Sequence, residues 1–424
     1  MGVKRWIGLI LIGTTFIGFG LAVLLLQVYY AAEPESWYTP ILAFLSLRFL
    51  SRGLRAIIFA GIGVTLVVVG ITGLNQTLLR PFVQPGKTVV DAVSAFRKRD
   101  RGPRIVVIGG GTGLSAVLRG LKTFSRNITA IVTVADDGGS SGELRKNIGV
   151  LPPGDIRNCL AALSSDEELL SQLFQYRFAT GSGLSGHNLG NLLITALTDI
   201  TGSFEDAIAE TGRVLAVQGT VLPSTLHNVH LVADVQLPHR KNEVIIKGES
   251  EIPKLAGKVK RVWLEPGNPQ AFPPAIQAIL SADLILVGPG SLYTSIMANL
   301  LVPAVADALR ASRAIKFFIC NIATQPGETD GYTCGDHVRA IENHLGGRIF
   351  DIVIYNKNYD SVLPETIQWV LPERQFHEKF SNYGTDLVDL SNPWRHDSMK
   401  VSRAVMDLFL ERTGPLSSRE EGVS

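Results

Sequence analysis

Cysteine is scarce in this sequence, and its cysteines do not have the spacing of a metal or redox site. Cys159, Cys320 and Cys334 are odd in number and include no C-x-x-C pair, a pattern typical of reduced thiols in a cytosolic domain. The histidines include no H-x-x-x-H pair or other metal-spaced cluster, so the sequence predicts no zinc site. The formal charge is only +2, which gives no indication of a nucleic-acid partner.

Long apolar runs are concentrated in the first hundred residues, and they raise the mean hydropathy to +0.22. Residues 7–30 and 56–74 carry no charge, and each run is long enough to cross a bilayer as a helix. Basic residues precede the first run and follow the second, which places both ends on the inner side. We therefore expect a two-helix transmembrane hairpin in residues 1–80 of a multi-pass inner-membrane protein, with both termini and the large domain cytoplasmic.

Two observations leave alternatives open for this region. Lys4 and Arg5 also suit a signal peptide, although the first run is too long and no small-x-small cleavage site follows it. Three arginines between the two runs would lie outside the cell in the hairpin topology: Arg48, Arg52 and Arg55. Residues 81–103 are predicted to form a basic linker that can contact anionic lipid, and residues 413–424 a disordered tail.

The remaining chain, residues 104–412, opens with a strand, a glycine turn and a helix start. An apolar run over 105–108 is followed by five residues, 109–113, four of which are glycine, and then by an apolar helical pattern. Backbone N–H groups at such a turn bind phosphate well. A second apolar run, 128–134, ends in Asp136 and Asp137, where a dinucleotide-type βαβ unit carries its ribose-binding acid.

More polar loops follow the later apolar runs. Small residues fill 138–142, and Asp155 precedes a helical pattern, so Asp155 is predicted either to cap that helix or to hold a metal–phosphate group. Asn188 and Asn191 share one face at the start of an apolar helix, as a structural cap or as ligand groups. Ser291 is predicted to cap the helix after strand 284–287, and the long polar loop 321–331 favours a ligand role.

Apolar strands alternate with helices throughout this region, with further strands expected at 229–235, 316–320 and 350–355 and a helix at 401–410. Strands that are apolar on both faces indicate a parallel sheet covered on both sides. The predicted fold is a Rossmann-like, doubly wound, mostly parallel α/β domain. The loops at 109–113, 138–142, 187–191 and 288–291 are expected to form one pocket at the carboxyl ends of the strands.

Six motifs connect the sequence to a known family. GGGTGLS, ADDGGSSG, PPGDIRN, GHNLGN, GPGSLYTS and CNIATQPGETDGY occur in this order and resemble the YvcK/CofD-like family, most closely its YvcK branch of gluconeogenesis factors. This resemblance implies a regulator that binds UDP-N-acetylglucosamine and supports cell shape and cell-wall precursor supply during gluconeogenic growth. The sequence departs from the usual YvcK pattern in the apolar segment and linker that precede the first strand.

The CofD branch implies a different activity. Its members transfer a phospholactyl-type group from a guanosine diphosphate donor to a deazaflavin alcohol, with Mg²⁺. In this sequence the corresponding metal-binding carboxylates are Asp136 or Asp137 together with Asp155. A third class, a dinucleotide-dependent oxidoreductase, is disfavoured because the glycine pattern is G-x-G-x-G and not the full G-x-G-x-x-G.

We favour the binding regulator over the transferase, mainly on the resemblance. The binding role requires no cofactor and no catalytic residue; the transferase would use Mg²⁺ on Asp137 and Asp155. We further expect a homodimer and a protein partner in cell-wall or central-carbon metabolism. The predicted ligand-binding residues are Gly110, Gly111, Thr112, Gly113, Asp136, Asp137, Gly139, Ser140, Ser141, Asp155, Asn158, His187, Asn188, Asn191, Gly288, Gly290 and Ser291.

Overall fold

The computed structural model of the chain describes residues 102–414, apart from 166–168, 182, 239–241 and 256, together with scattered residues between 14 and 69. The chain divides into two compact units, Met1–Val93 and Ser94–Ser424. In the first unit, the predicted spans 7–30 and 56–74 fall largely outside the described residues. Within the part that is described, no single helix is long and apolar enough to cross a membrane. The hairpin therefore finds no support there and stays a prediction.

The described residues of the second unit form twelve strands. In chain order they are β1 (Ile105–Gly109), β2 (Ile128–Val132), β3 (Thr220–Pro223), β4 (His230–Gln236), β5 (Val244–Lys247), β6 (Lys258–Glu265), β7 (Leu284–Val287), β8 (Ile315–Ile319), β9 (Ile352–Asn356), β10 (Asn382–Thr385), β11 (Val388–Asp389) and β12 (Asn392–His396). Seven of them form a sheet in the order β10-β9-β8-β7-β1-β2-β3, and every pairing in this sheet is parallel.

The helices of this unit cover the parallel sheet. They are α1 (Gly111–Leu121), α2 (Gly139–Ile148), α3 (Gly154–Leu163), α4 (Leu169–Gln175), α5 (Leu189–Thr201), α6 (Phe204–Val214), α7 (Pro273–Ser281), α8 (Ala298–Leu300), α9 (Pro303–Ala311), α10 (Cys334–Leu345), α11 (Phe376–Lys379) and α12 (Ser398–Thr413). A π-helical turn, Leu292–Met297, leads directly into α8. α1 shows why these segments are helical and where they pack: its apolar residues recur at helical spacing, and Leu114, Leu118 and Leu121 are fully buried.

The strand order places a topological switch point at β1. From β1 the chain moves to β2 and β3 on one side, and it later returns to the other side of β1 as β7. Residues 284–287 of β7 pair with residues 105–108 of β1. In open α/β sheets a crevice forms outside the carboxyl ends of two such strands. The predicted doubly wound parallel fold is confirmed.

Several predicted boundaries need correction. The predicted strands at 316–320 and 350–355 are observed at Ile315–Ile319 and Ile352–Asn356. The predicted helix 401–410 is longer, Ser398–Thr413, because the Asp397 side chain accepts the backbone N–H groups of Met399 and Lys400 and so starts the helix earlier. Thr413, assigned above to the disordered tail, is helical, whereas residues from 415 onward lie outside the described part, as do residues 81–101 of the linker.

Two small antiparallel sheets are added to the parallel core. The first, in the order β5-β4-β6, is an insertion between β3 and β7. The second pairs β11 with β12 just before α12. The three cysteines are free and buried, as expected for structural thiols.

Candidate functional site

A cavity of about 700 Å³ opens at the switch point between β1 and β7. Four segments form most of its wall: Gly110–Gly113 after β1, Pro289–Ser291 after β7, the loop 321–326 after β8, and the segment 394–398 that runs from β12 into α12. Arg119, Asn158 and Gln175 complete its polar rim. The cavity therefore lies at the carboxyl ends of three neighbouring strands, where α/β folds bind their ligands.

The glycine loop after β1 supplies backbone donors to this cavity. Helix α1 begins at Gly111, and its N-cap residue, Gly110, has no side chain that could satisfy the first N–H groups. Gly111 has a φ of +66°, a conformation that glycine adopts without the strain of other residues. The start of α1 therefore presents backbone N–H groups to an anion.

The loops after β1, β7 and β8 are in direct contact. A Cβ atom on Gly113 would lie 2.9 Å from the carbonyl oxygen of Pro289, so the first two loops touch backbone to backbone. The Asn321 amide donates to the Gly290 carbonyl at 2.9 Å, and its Oδ1 accepts the Gly290 N–H at 3.3 Å. These contacts join the three loops into one wall of the cavity.

The turn after β7 is not capped in the predicted way. Ser291 is the N-cap of the π-helical turn, but its side chain makes no capping hydrogen bond; it lines the cavity instead. The buried carboxylate of Glu328 takes that role by accepting the Tyr293 N–H at 3.3 Å and the Thr294 hydroxyl at 3.0 Å. Gly288, a predicted ligand residue, is not among the cavity-lining residues and has a φ of +80° just after β7.

Asp155 lies beneath the glycine loop and does not cap α3. That helix begins at Gly154 with Pro153 as its N-cap, which leaves Asp155 in the first turn. The proline shifts the start because its fixed φ is compatible with the first helical turn. The pKa of Asp155 is raised to about 7, mainly by burial and in addition by nearby Asp136, against a hydrogen bond from the Gly111 N–H that lowers it. The carboxylate therefore faces the glycine loop from behind.

The two acids after β2 point to different parts of the domain. Asp136 accepts the Gly138 N–H at 2.9 Å, and burial raises its pKa, against the effect of hydrogen bonds from Gly138 and Ser141. Asp137 instead accepts the Ser250 N–H at 2.9 Å from the inserted sheet. Neither acid lines the cavity.

The different positions of Asp136 and Asp137 affect which of them could bind Mg²⁺ together with Asp155, as a transferase would require. Asp136 is close enough to Asp155 to raise its pKa, and carboxylate oxygens are the ligands that Mg²⁺ prefers. Asp137 has no such effect on Asp155 and binds the turn after β5, so it fits less well than Asp136. Among the residues that the structure describes, no group of three or more His, Cys, Asp or Glu side chains could hold a metal ion; a two-carboxylate site would need ligand oxygens as well.

The second small-residue loop, 138–142, forms side-chain hydrogen bonds with the GHNLGN segment, 186–191. The Ser140 hydroxyl contacts His187 Nδ1 at 3.2 Å and accepts from the Asn191 amide at 3.2 Å, and the same amide reaches the Ser141 hydroxyl at 3.4 Å. Asn188 caps α5, since its Oδ1 accepts the Gly190 N–H at 3.0 Å. Of the four loops expected to share one pocket, these two, which include Gly139, do not line the cavity.

Several cavity-lining residues were not predicted from the sequence, among them Arg119, Gln175 and the segment 394–398. Arg119 lies on α1, where an isolated arginine on a helix carries no motif. Trp394, Arg395 and Asp397 lie about 280 residues beyond the glycine loop and reach it through the packing of α12 against α1, where the Ser402 hydroxyl donates to the Val117 carbonyl at 3.3 Å. The tryptophan-arginine pair before a helix start was the one available signal. Residues 321–326 of the loop 321–331, for which a ligand role is predicted, line the cavity.

The fold and this site define a class of protein: an α/β domain of the kind that binds phosphate-bearing ligands at the switch point of a parallel sheet. Residues 105–394 match the family model described as 2-phospho-L-lactate transferase CofD. The chain belongs to this CofD/YvcK family, as the sequence motifs predicted.

Relatives with gluconeogenesis-factor names lie in the same family. One from Nostoc sp. is 49% identical, over 85% of this chain and 78% of its own length. One from Clostridium acetobutylicum is 43% identical, over 96% of this chain and 90% of its own length, so that similarity extends over most of the residues before Arg104. A crystal structure of a UPF0052-family protein from Bacillus halodurans has a TM-score of 0.67 and 45% identity, covering 72% of this chain and 99% of that one.

Proposed function

We propose that the cavity binds a nucleotide diphosphate sugar, UDP-N-acetylglucosamine, and that the protein uses this binding to regulate cell-wall precursor supply and cell shape during gluconeogenic growth. The proposal rests on one observation. A cavity of about 700 Å³ lies between the start of α1, whose N-cap residue has no side chain, and the aromatic and basic segment 394–398. Its volume lies within the range of roughly 300–1,000 Å³ typical of small-molecule sites.

The cavity wall offers chemically distinct groups for the parts of such a ligand. The N–H groups at the start of α1 suit a diphosphate. Arg119 and Arg395 add positive charge around it. Trp394, which is 40% exposed, presents an aromatic surface on which a base can stack. The amides and hydroxyl of Asn321, Thr324 and Gln325 are suited to sugar hydroxyls.

The alternative is a CofD-like transferase that uses Mg²⁺. Asp136 and Asp155 favour it, because a buried carboxylate pair with raised pKa values is more costly without a cation than with one. The gluconeogenesis-factor names of the relatives favour regulation. The two functions share one phosphate site, so they are separated by what happens to the bound ligand.

The test is calorimetry on the full chain in mild detergent, with UDP-N-acetylglucosamine, a guanosine-linked phospholactyl donor and NAD, each with and without Mg²⁺. We expect saturable binding of the UDP-sugar, with the ligand recovered intact by chromatography. No heat with the UDP-sugar, beside turnover of the guanosine-linked donor, would show that the protein is the transferase.

We also infer that the domain is tethered to the inner face of the membrane. The two uncharged runs, 7–30 and 56–74, and the basic residues around them support this. We expect the full chain to sediment with membranes and to resist extraction at high salt. A fluorescent protein fused after Leu79 should fluoresce and a phosphatase fused there should be inactive; the reverse pattern, or a chain found only in the supernatant, would contradict the tether.

A further inference from the structure

Arg157, the arginine of the PPGDIRN motif, is a buried cation beside the candidate site and was not among the predicted ligand-binding residues. It lies in the first half of α3 and is 7% exposed. Its side chain passes against the start of α5, where a Cβ atom on Gly190 would lie 2.9 Å from Arg157 Cδ. A side chain at position 190 would therefore displace the arginine, and the glycine explains how the guanidinium reaches this place.

The guanidinium of Arg157 has no ion-pair partner among the described residues, although Asp155 and Asp136 lie close enough to favour its charged form. Its Nη2 donates to Asn158 Oδ1 at 2.8 Å, a neutral acceptor. Its Nε and Nη1 are buried and have no hydrogen-bond partner, and within the described chain no carboxylate forms an ion pair with it. Burial and the nearby Arg177 lower the pKa of Arg157 to about 10, while Asp155 and Asp136 raise it. The group is thus still charged at neutral pH.

An unpaired buried charge is costly, and proteins normally supply a partner for it. The hydrogen bond of Arg157 to Asn158 leads towards the cavity, because Asn158 and Gln175 line the cavity wall, although Arg157 itself is not among the lining residues. These two residues are themselves joined, since the Gln175 amide reaches Asn158 Oδ1 at 3.4 Å and the Asn188 amide donates to the Gln175 carbonyl at 2.9 Å. The thirteen-residue helix α5 also begins here and directs its positive end to the same place.

We propose that Arg157, Asn158 and Gln175 form an anion subsite that takes a phosphate group of the ligand, distinct from the N–H groups of the glycine loop. The subsite rests on the proposed function, because the nucleotide diphosphate sugar supplies the phosphate. The buried guanidinium charge behind Asn158 and the N-terminus of α5 lie on one side, and the start of α1 lies on the other, so the two phosphates of a diphosphate have separate partners.

The subsite predicts opposite effects on stability and on binding. Burying an unpaired cation costs desolvation free energy in the folded, ligand-free protein. Arg157→Gln removes this cost, so its melting temperature without ligand should be unchanged or higher. The same change removes the positive charge behind the phosphate, so affinity for UDP-N-acetylglucosamine should fall about 10- to 100-fold. Arg157→Lys should retain part of the affinity, because lysine keeps the charge without the planar donor set.

The experiment titrates the full chain with UDP-N-acetylglucosamine, inorganic pyrophosphate and phosphate-free uridine. Arg157→Gln should lose affinity for the first two and bind uridine as the parent protein does. Arg213→Gln is the matched control, since Arg213 is exposed and pairs with Glu210 on the surface.

Each result decides between the two proposals. If pyrophosphate binds the parent protein and Arg157→Gln equally well, or binds neither at millimolar concentration, the subsite is wrong. If Arg157→Gln lowers the ligand-free melting temperature and weakens uridine equally, the arginine is structural and the subsite is also wrong. If the parent protein does not bind UDP-sugars but binds pyrophosphate more tightly than Arg157→Gln does, the proposed ligand is wrong and the anion subsite is supported.

Discussion

Replacing Gly113 with alanine is expected to weaken the binding of UDP-N-acetylglucosamine by at least about tenfold. The added methyl group would lie 2.9 Å from the Pro289 carbonyl oxygen and 3.2 Å from the Gly290 nitrogen. Both are backbone atoms, so they cannot move aside as a flexible side chain would. The loops after β1 and β7 must separate, and the N–H groups at the start of α1 then lose their position opposite the rest of the cavity.

Calorimetry compares Gly113→Ala with Gly347→Ala, because a Cβ atom on Gly347 would meet nothing within 4 Å. We expect the Gly347 variant to bind as the parent protein does. The Gly113 variant should keep its circular-dichroism spectrum, since the change is confined to the contact between two loops. Unchanged affinity in a folded Gly113→Ala protein would remove this part of the glycine loop from the ligand site.

The glycine loop was predictable because its signal is local. A buried strand, a run of glycines and an apolar helix follow one another within about twenty residues, and each has its own period or backbone requirement. The same holds for the loop after β7. The order of the strands is less local, but apolar strands that alternate with helices restrict the fold to a parallel, doubly wound sheet.

The rest of the site could not be predicted, because it depends on which distant segments pack together. Trp394 and Arg395 reach the cavity only because α12 packs on α1. Ser140 and Asn191 looked like ligand groups, since small and amide side chains suit sugars and phosphates, but the Asn191 amide nitrogen donates to the Ser140 hydroxyl inside the protein. A polar residue at a loop shows that it needs a partner and does not show whether that partner is a ligand or the protein itself.

Glu328 is another polar residue whose hydrogen-bond partners lie inside the protein, and its burial affects stability. Glu328 is 2% exposed. Its carboxyl group accepts hydrogen bonds from Tyr293 and Thr294 in the π-helical turn. Burial raises the pKa of Glu328 to about 7, and the hydrogen bonds from Thr294 and Tyr293 lower it only in part. The folded protein therefore keeps the proton of this carboxyl group over a pH range in which the unfolded chain has lost it.

The sign of the pH dependence follows from this order of pKa values. Because the folded-state pKa is the higher one, the contribution of Glu328 to stability is complete below pH 4.5 and is lost as the pH rises through about 7. The difference between the two pKa values corresponds to about 3 kcal/mol. Glu328→Gln is neutral at every pH and should not lose this contribution, so its free energy of unfolding should rise relative to that of the parent protein by about 3 kcal/mol between pH 4.5 and 8.

Urea denaturation of both proteins, followed by tryptophan fluorescence from pH 4.5 to 8, measures this difference directly. Asp155 and Glu249 also have raised pKa values, but both are present in the two proteins, so the comparison isolates Glu328 and its coupling to them. Glu210→Gln, which removes an exposed carboxylate paired with Arg213, should follow the parent protein at every pH. Parallel stability curves for Glu328→Gln and the parent protein would mean that Glu328 is ionised in the fold throughout this range, and that Tyr293 and Thr294 hold a carboxylate anion.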